Sequence, residues 1–187
     1  MTTRQQRHDQ LKYIGFRVDT KARYRQAVRN FQRVKGLPVT GICDPVTQRK
    51  IAHAAELKHE GKHNLSKHFS FDDFICKCGG KYYNCQRFWL KRRLLVRLEK
   101  MVSVLGSFKP VSGCRCFGYN HSIGGATQSQ HLVGEACDLP SRWTFKQIHN
   151  LHLFTGIGTG SRTGHVLHVD VRAGSVYSPI RWFYSGW

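Results

Sequence analysis

Three residues of this chain have the types and spacing of a metal site that performs chemistry. His131 is followed seven residues later by Asp138, and a second histidine, His168, lies thirty residues beyond that carboxylate. Catalytic zinc is typically held by three imidazole or carboxylate ligands with one position left for water, whereas structural zinc is enclosed by four ligands, usually with cysteine among them. The trio therefore indicates a catalytic metal centre, although a chain with 11 histidines also produces such spacings by chance.

Motifs around this trio follow one another in the order found in a known peptidase family. The chain contains S-G-x-R from Ser112, N-x-x-x-G-G-A-x-x-S-Q-H-x-x-G-x-A-x-D from Asn120, and G-H-x-x-H-x-D-x-R from Gly164. This series resembles the zinc D-Ala-D-Ala carboxypeptidases, a family that includes VanY-like carboxypeptidases and phage endolysin peptidases. The resemblance covers roughly residues 68–187.

The resemblance implies a role for each matching position. Zinc would be bound by His131, Asp138 and His168, and Arg115 would bind a substrate carboxylate or stabilise the oxyanion. Many relatives have an acidic base three positions before the last ligand, where this chain has His165. A His-x-x-His variant occurs in actinomycete-type members, so His165 is a candidate general base or oxyanion donor.

The last ligand lies in a segment that alternates like a β-strand. Regular alternation would place Val166, His168, Asp170 and Arg172 on one face, and Leu167, Val169 and Val171 on the apolar other face. His165 would then point away from His168 unless the chain bends near Gly164. Asp170 would lie beside His168 as an electrostatic partner.

Other elements are predicted from periodicity and glycine content. An apolar stripe predicts a long helix over 87–105, and the glycine-rich stretch 118–126 predicts a loop. A further helix is predicted over 144–153. Together these elements predict an α+β fold, in which a small antiparallel sheet with flanking helices is preceded by a small three-helix domain.

The N-terminal part has its own pattern. Apolar residues at helical spacing from Tyr24 to Val34 predict one helix, and Asp44 followed by Pro45 predicts the start of another. The segment V-R-N-F-Q-x-x-x-G-L-P-V-T-G-I-x-D-P-x-T resembles the three-helix peptidoglycan-binding domain of wall hydrolases, with Val39 and Ile42 expected in its core. We predict this domain over 8–57, a polar linker over 58–67 and a peptidase domain over 68–187.

Seven cysteines are a further group of potential ligands. Cys76, Cys78 and Cys85 lie within ten residues and could bind a second, structural zinc, completed by Cys114, Cys116 or a histidine. The C-x-C spacing differs from the usual C-x-x-C knuckle, and reduced packing cysteines are the alternative. An odd number of cysteines argues against a complete disulfide framework.

The formal net charge of +19 predicts attraction to polyanions. The charge by itself does not distinguish nucleic acid from anionic polymers of a cell envelope, but the chain has no recognisable nucleic-acid-reading motif. The charge fits anionic envelope polymers as partners, and the resemblance to a peptidoglycan-binding domain implies peptidoglycan. We also expect a monomer. The sequence contains no run of 18 apolar residues, so it predicts no membrane span.

These features predict a peptidoglycan hydrolase of the endolysin type that cuts a peptide bond with zinc-activated water. The N-terminal residues lack the apolar region of a secretory signal, so we expect synthesis in the host cytoplasm and action on the wall after release. Two alternatives are a catalytically inactive wall-binding protein and a basic nucleic-acid-binding zinc protein. The sequence leaves open which peptide bond is cut.

Overall fold

The computed structural model describes residues 3–185, which form α-helices and a four-stranded sheet. The helices are α1 (Arg4–Tyr13), α2 (Lys21–Lys35), α3 (Pro45–His59), α4 (Arg92–Leu105), α5 (Phe117–Ser122) and α6 (Phe145–His149). The strands are β1 (Ala136–Asp138), β2 (Gly156–Gly160), β3 (Val166–Asp170) and β4 (Ile180–Tyr184). The predicted α+β class is confirmed. Within residues 3–185, no helix has the length and apolar character needed to cross a membrane.

Local signals set the bounds of the N-terminal helices. The Thr20 hydroxyl accepts a hydrogen bond from the amide of Arg23, and α2 ends at Gly36, whose left-handed backbone favours glycine. The Asp44 carboxylate caps α3, as the sequence predicted. The expectation that Val39 and Ile42 are core residues was wrong, because they are 45% and 68% exposed in the loop between these helices.

The helical part shares a hydrophobic core with the part that follows it. Phe16 and Phe31 lie against Phe71, and Phe16 also packs edge-on against Phe88. The predicted linker 58–67 begins inside α3 and carries two buried side chains, Asn64 and Leu65. The division into two domains remains a prediction. These contacts show that the helical part and the part that follows it pack against each other.

The sheet has the order β1-β3-β2-β4 and is mixed rather than antiparallel throughout. β3 pairs antiparallel with β1 and with β2, while β2 and β4 run parallel. Because both sides of β3 are occupied, the chain that leaves β3 cannot pair with it again. β4 runs back antiparallel to β3 on the free side of β2, and it is therefore parallel to β2.

A β-bulge in β3 changes which residues face the core. Gly158 pairs with His168, and Thr159 pairs with Val166, so Leu167 is an extra residue on β3. Val166 consequently packs into the core with Val169, while Leu167 lines an open cleft. The predicted faces of Val166 and Leu167 were wrong because a bulge breaks the regular alternation of a strand.

Two other predicted elements differ in their bounds. α4 begins at Arg92 instead of residue 87, because Arg87 has a positive φ of 68° and cannot belong to a right-handed helix. The predicted loop 118–126 contains the short helix α5, and the predicted helix over 144–153 is limited to α6.

Candidate metal centre

Three elements bring the predicted ligands together. Asp138 ends β1 and lies opposite His168 in the antiparallel pairing of β1 with β3. His131 lies in a 3-10 turn, Gln130–Val133, which ends at Gly134 in the left-handed conformation. A side chain at Gly134 would collide with the carbonyl oxygen of Trp89, so this turn requires glycine for both its conformation and its packing.

The ligand atoms of the trio converge on one point. His131 Nε2 lies 2.9 Å from Asp138 Oδ1 and 3.1 Å from His168 Nδ1, and His168 Nδ1 lies 2.9 Å from the same carboxylate oxygen. His131 and His168 are buried, and Asp138 is partly exposed. Each residue thus presents one donor atom toward a common centre.

The other nitrogen of each histidine is held by a second partner. Nδ1 of His131 lies 2.6 Å from the carbonyl oxygen of Gly113, to which a protonated Nδ1 donates. Nε2 of His168 lies 3.3 Å from Asp170 Oδ2. Such partners fix the tautomer and the ring orientation of metal-binding histidines. Asp170 therefore has the contact with His168 that the sequence predicted.

The electrostatics of the centre favour an ionised Asp138. Burial opposes its charge, but its close contacts with the His131 and His168 rings outweigh burial and hold the pKa of Asp138 well below its usual range. Burial lowers the pKa of His131, which favours the neutral imidazole that a metal needs. Burial also acts against the charged form of His168, but the carboxylates of Asp138 and Asp170 raise its pKa overall.

The donor set fits zinc. Two imidazoles and one carboxylate are the ligands of many catalytic zinc sites, and atoms bound to tetrahedral zinc at its usual distances stand about 3.3 Å apart. The distances of 2.9 to 3.1 Å between the three donor atoms are close to that value. Zinc would fit between them after small outward movements of the side chains.

Arg115 lies beside this centre. Its Nε donates to Ser112 Oγ at 3.1 Å, and its Nη2 forms an ion pair with Asp138 Oδ2, the oxygen that does not face the histidines. Arg115 also lines a cleft of about 420 Å³ together with Asp138, Leu167 and other residues. The guanidinium can therefore orient the carboxylate and reach a molecule in the cleft.

His165 lies on the same side of the sheet as His168, although regular alternation predicted the opposite. Val166 points into the core, and the residue before it therefore points to the other face. The bulge at Leu167 contributes to this change, and the chain also turns at Gly164, whose φ is 66°, as the sequence pattern required. His165 Nδ1 lies 3.3 Å from Ser141 Oγ, and Ser141 lines the cleft that contains Asp138.

Several residues that support the site were not identified from the sequence. Arg172 holds Asp170 through its Nε, which lies 2.9 Å from each carboxylate oxygen. Burial opposes the charge of Asp170, yet hydrogen bonds from His168 and Arg172 lower its pKa to about 2. The ring of Trp182 packs edge-on against His168 at 5.1 Å. The repeated glycines in the G-I-G-T-G sequence of β2 were the feature of the sequence that could have indicated this close packing of side chains against β2.

Gly156 provides the space for the Asp170 carboxylate. A Cβ atom at this position would lie 2.5 Å from both carboxylate oxygens. We expect Gly156→Ala to displace Asp170 and to weaken zinc binding by about 10- to 100-fold, as loss of a partner of a metal-binding histidine typically does. Competition with a chelator measures this affinity. Ile157→Val, a core change on the same strand, should leave zinc affinity unchanged; equal affinities for the two variants would contradict the proposed role of Asp170.

The cysteines form a second group of potential ligands. The sulfur atoms of Cys76, Cys78, Cys85 and Cys116 lie within 4.8 Å of one another. Cys114, the other candidate for a fourth ligand, is outside this group.

Comparison with protein families agrees with this geometry. The family model described as Peptidase M15 matches residues 67–170, which is more than half of the chain. The chain therefore belongs to the Peptidase M15 family, whose members are zinc-dependent, and the predicted resemblance is confirmed. A model of a peptidoglycan binding domain matches residues 9–51. A comparison with curated protein sequences found no match. The two family matches support a hydrolase that acts on peptidoglycan.

Proposed function

We propose that this protein is an endolysin-like zinc peptidase that cuts a peptide bond in the stem peptide or cross-link of peptidoglycan. The main support for this proposal is that His131, Asp138 and His168 converge beside an open cleft that Arg115 also lines. A site that served only to bind the wall would not require this arrangement of donor atoms.

The chemistry is divided between the metal and the surrounding residues. Zinc bound by His131, Asp138 and His168 would lower the pKa of a bound water and polarise the scissile carbonyl. Arg115 can donate hydrogen bonds to negative charge that develops on the substrate. His165, on the cleft side of the sheet, can accept a proton from the attacking water and return it to the leaving amine.

Arg115→Lys should separate binding of the metal from catalysis. A lysine ammonium cannot reproduce the planar, forked donors with which Arg115 contacts both Ser112 and Asp138. We expect zinc content to be unchanged and turnover on wall fragments to fall roughly 100-fold, which is typical for the loss of one oxyanion donor. Arg142→Lys, at an exposed position, is the control. Full turnover in Arg115→Lys would exclude a catalytic role for the guanidinium.

The helical part would hold the enzyme on its insoluble substrate. Three apolar side chains, Val39, Ile42 and Val46, are exposed in the loop between α2 and α3 and in the first turn of α3. They lie within the part of the chain that matches the peptidoglycan binding domain. The net charge of +19 adds attraction to anionic envelope polymers.

Ile42→Asp tests this role in the full chain. Loss of the apolar contact should weaken co-sedimentation with insoluble peptidoglycan by roughly tenfold, while hydrolysis of soluble fragments stays unchanged. Val104→Asp makes the same change of charge at a similarly exposed site on α4. If both variants lose binding equally, charge and not the apolar patch accounts for adhesion.

The proposed function is tested by digesting purified peptidoglycan with the full chain. Mass analysis of the fragments shows which bond is cut: D-Ala-D-Ala, a D-Ala-diaminopimelate cross-link or L-Ala-D-Glu. We expect new peptide termini and intact glycan strands. Wall binding without any new terminus would support an inactive wall-binding protein instead.

A further inference from the structure

We propose that Cys76, Cys78, Cys85 and Cys116 bind a second, structural zinc ion, and that this ion fixes the loop 76–91 against the segment that carries Arg115. The proposal concerns a site separate from the His131, Asp138 and His168 centre and does not depend on the proposed hydrolytic function. In this proposal the fourth ligand is Cys116 rather than Cys114.

The four sulfur atoms have the arrangement of a closed zinc site. All of them lie within 4.8 Å of one another. Sulfur ligands of a tetrahedral zinc ion stand about 3.8 Å apart, given the usual zinc–sulfur distance. Only a small contraction would therefore bring the four into coordination. Four thiolates leave no position for water, which is typical of a structural site.

The backbone around these cysteines is arranged to support thiolates. The amide of Cys116 donates to Cys76 Sγ at 3.3 Å, and the amide of Arg87 donates to Cys85 Sγ at 3.4 Å. Gly79 and Gly80 have positive φ angles of 63° and 88°, which turn the chain back directly after Cys78. Amide donors to sulfur stabilise the charged form that a metal binds.

Within the described loop, the main core includes Phe88 and Leu90 at the far end but none of residues 76–87. Residues 76–91 contain no helix or strand. The first part of the loop contributes to a small hydrophobic cluster that is separate from the main core. The buried members of this cluster are Cys76, Cys85 and Cys116. Thiol groups bury little apolar surface, and small clusters of this kind usually need a metal or a disulfide to hold their shape. A zinc ion would supply the missing cross-link.

The position of the cluster connects it to the catalytic half of the molecule. Cys116 directly follows Arg115, and both line a cleft of about 540 Å³ with Tyr82 and Cys85 from the loop. Carbonyl oxygens of Tyr82 and Tyr83 also accept hydrogen bonds from Arg17 of the N-terminal part. A metal bound here would fix the position of one wall of this cleft and of the backbone at Arg115.

Zinc content of the full chain, purified under reducing conditions, tests the proposal. We expect two zinc ions per chain in the unaltered protein, one in His168→Ala and one in Cys78→Ser. Cys78 is chosen because it is only half-buried, so serine should disturb the fold least. Cys114→Ala, a nearby thiol outside the group, should keep two. Equal zinc contents of Cys78→Ser and the unaltered protein would overturn the proposal.

Cobalt substitution of His168→Ala provides a second measurement that does not require altering the cluster. Four thiolate ligands should produce intense sulfur-to-cobalt charge-transfer absorption, whereas a site of nitrogen and oxygen ligands produces none. Absence of this band, or a Cys76–Cys85 disulfide found by mass analysis after alkylation without reduction, would overturn the proposal. If the band is present while the unaltered protein has only this zinc and does not cut peptidoglycan, the proposed function fails and the cysteine site stands.

Discussion

Replacing His168 with alanine should remove the zinc of the His131, Asp138 and His168 centre and reduce hydrolysis of peptidoglycan to the level of a blank without enzyme. His168 contributes one of three donor atoms and is also the residue through which Asp170 acts on the site. Two remaining ligands would bind zinc too weakly to retain it during dialysis. Zinc analysis and the loss of turbidity of a wall suspension measure the two effects.

A matched control separates the effect of losing this ligand from the effect of removing any histidine. His53→Ala changes an exposed ring on α3 and should keep both zinc and activity. Because His168 is buried, the folded state of its alanine variant must be checked by circular dichroism. A folded His168→Ala variant that still cleaves peptidoglycan at the normal rate would refute the proposed metal centre.

His165→Ala has the second largest expected effect. We expect it to retain zinc, because His165 is not one of the three converging residues, and to lose on the order of 100-fold or more in rate, as removal of a general acid–base group typically does. Steady-state rates on soluble wall fragments provide the measurement.

Ser141→Ala is the companion to this variant. It removes the hydroxyl that lies 3.3 Å from His165 Nδ1 but keeps the imidazole. Its rate should fall less than that of His165→Ala, because the imidazole that would take the proton is still present. If His165→Ala retains nearly all activity, the histidine is structural and another group removes the proton from the attacking water.

The candidate ligands and the start of α3 could be predicted from the sequence alone, whereas the bounds of α4 and α6 could not. The types of His131, Asp138 and His168 match what a catalytic zinc requires, and their motif predicts them as ligands before any fold is known. The cap at Asp44 is local, because it depends on hydrogen bonds within a few residues. The α+β class followed from these patterns.

Long-range packing sets which of these residues meet and which way their side chains point. The bulge at Leu167 depends on pairing with β2 and cannot be seen in the alternation of β3 alone, yet it contributes to placing His165 on the face of His168. The direction of β4 was decided by which side of β3 was already occupied. Cys116 joins the cysteine group and Cys114 does not, since contacts between distant segments select one of two nearby thiols. Such choices rest on long-range packing, which sequence spacing does not encode.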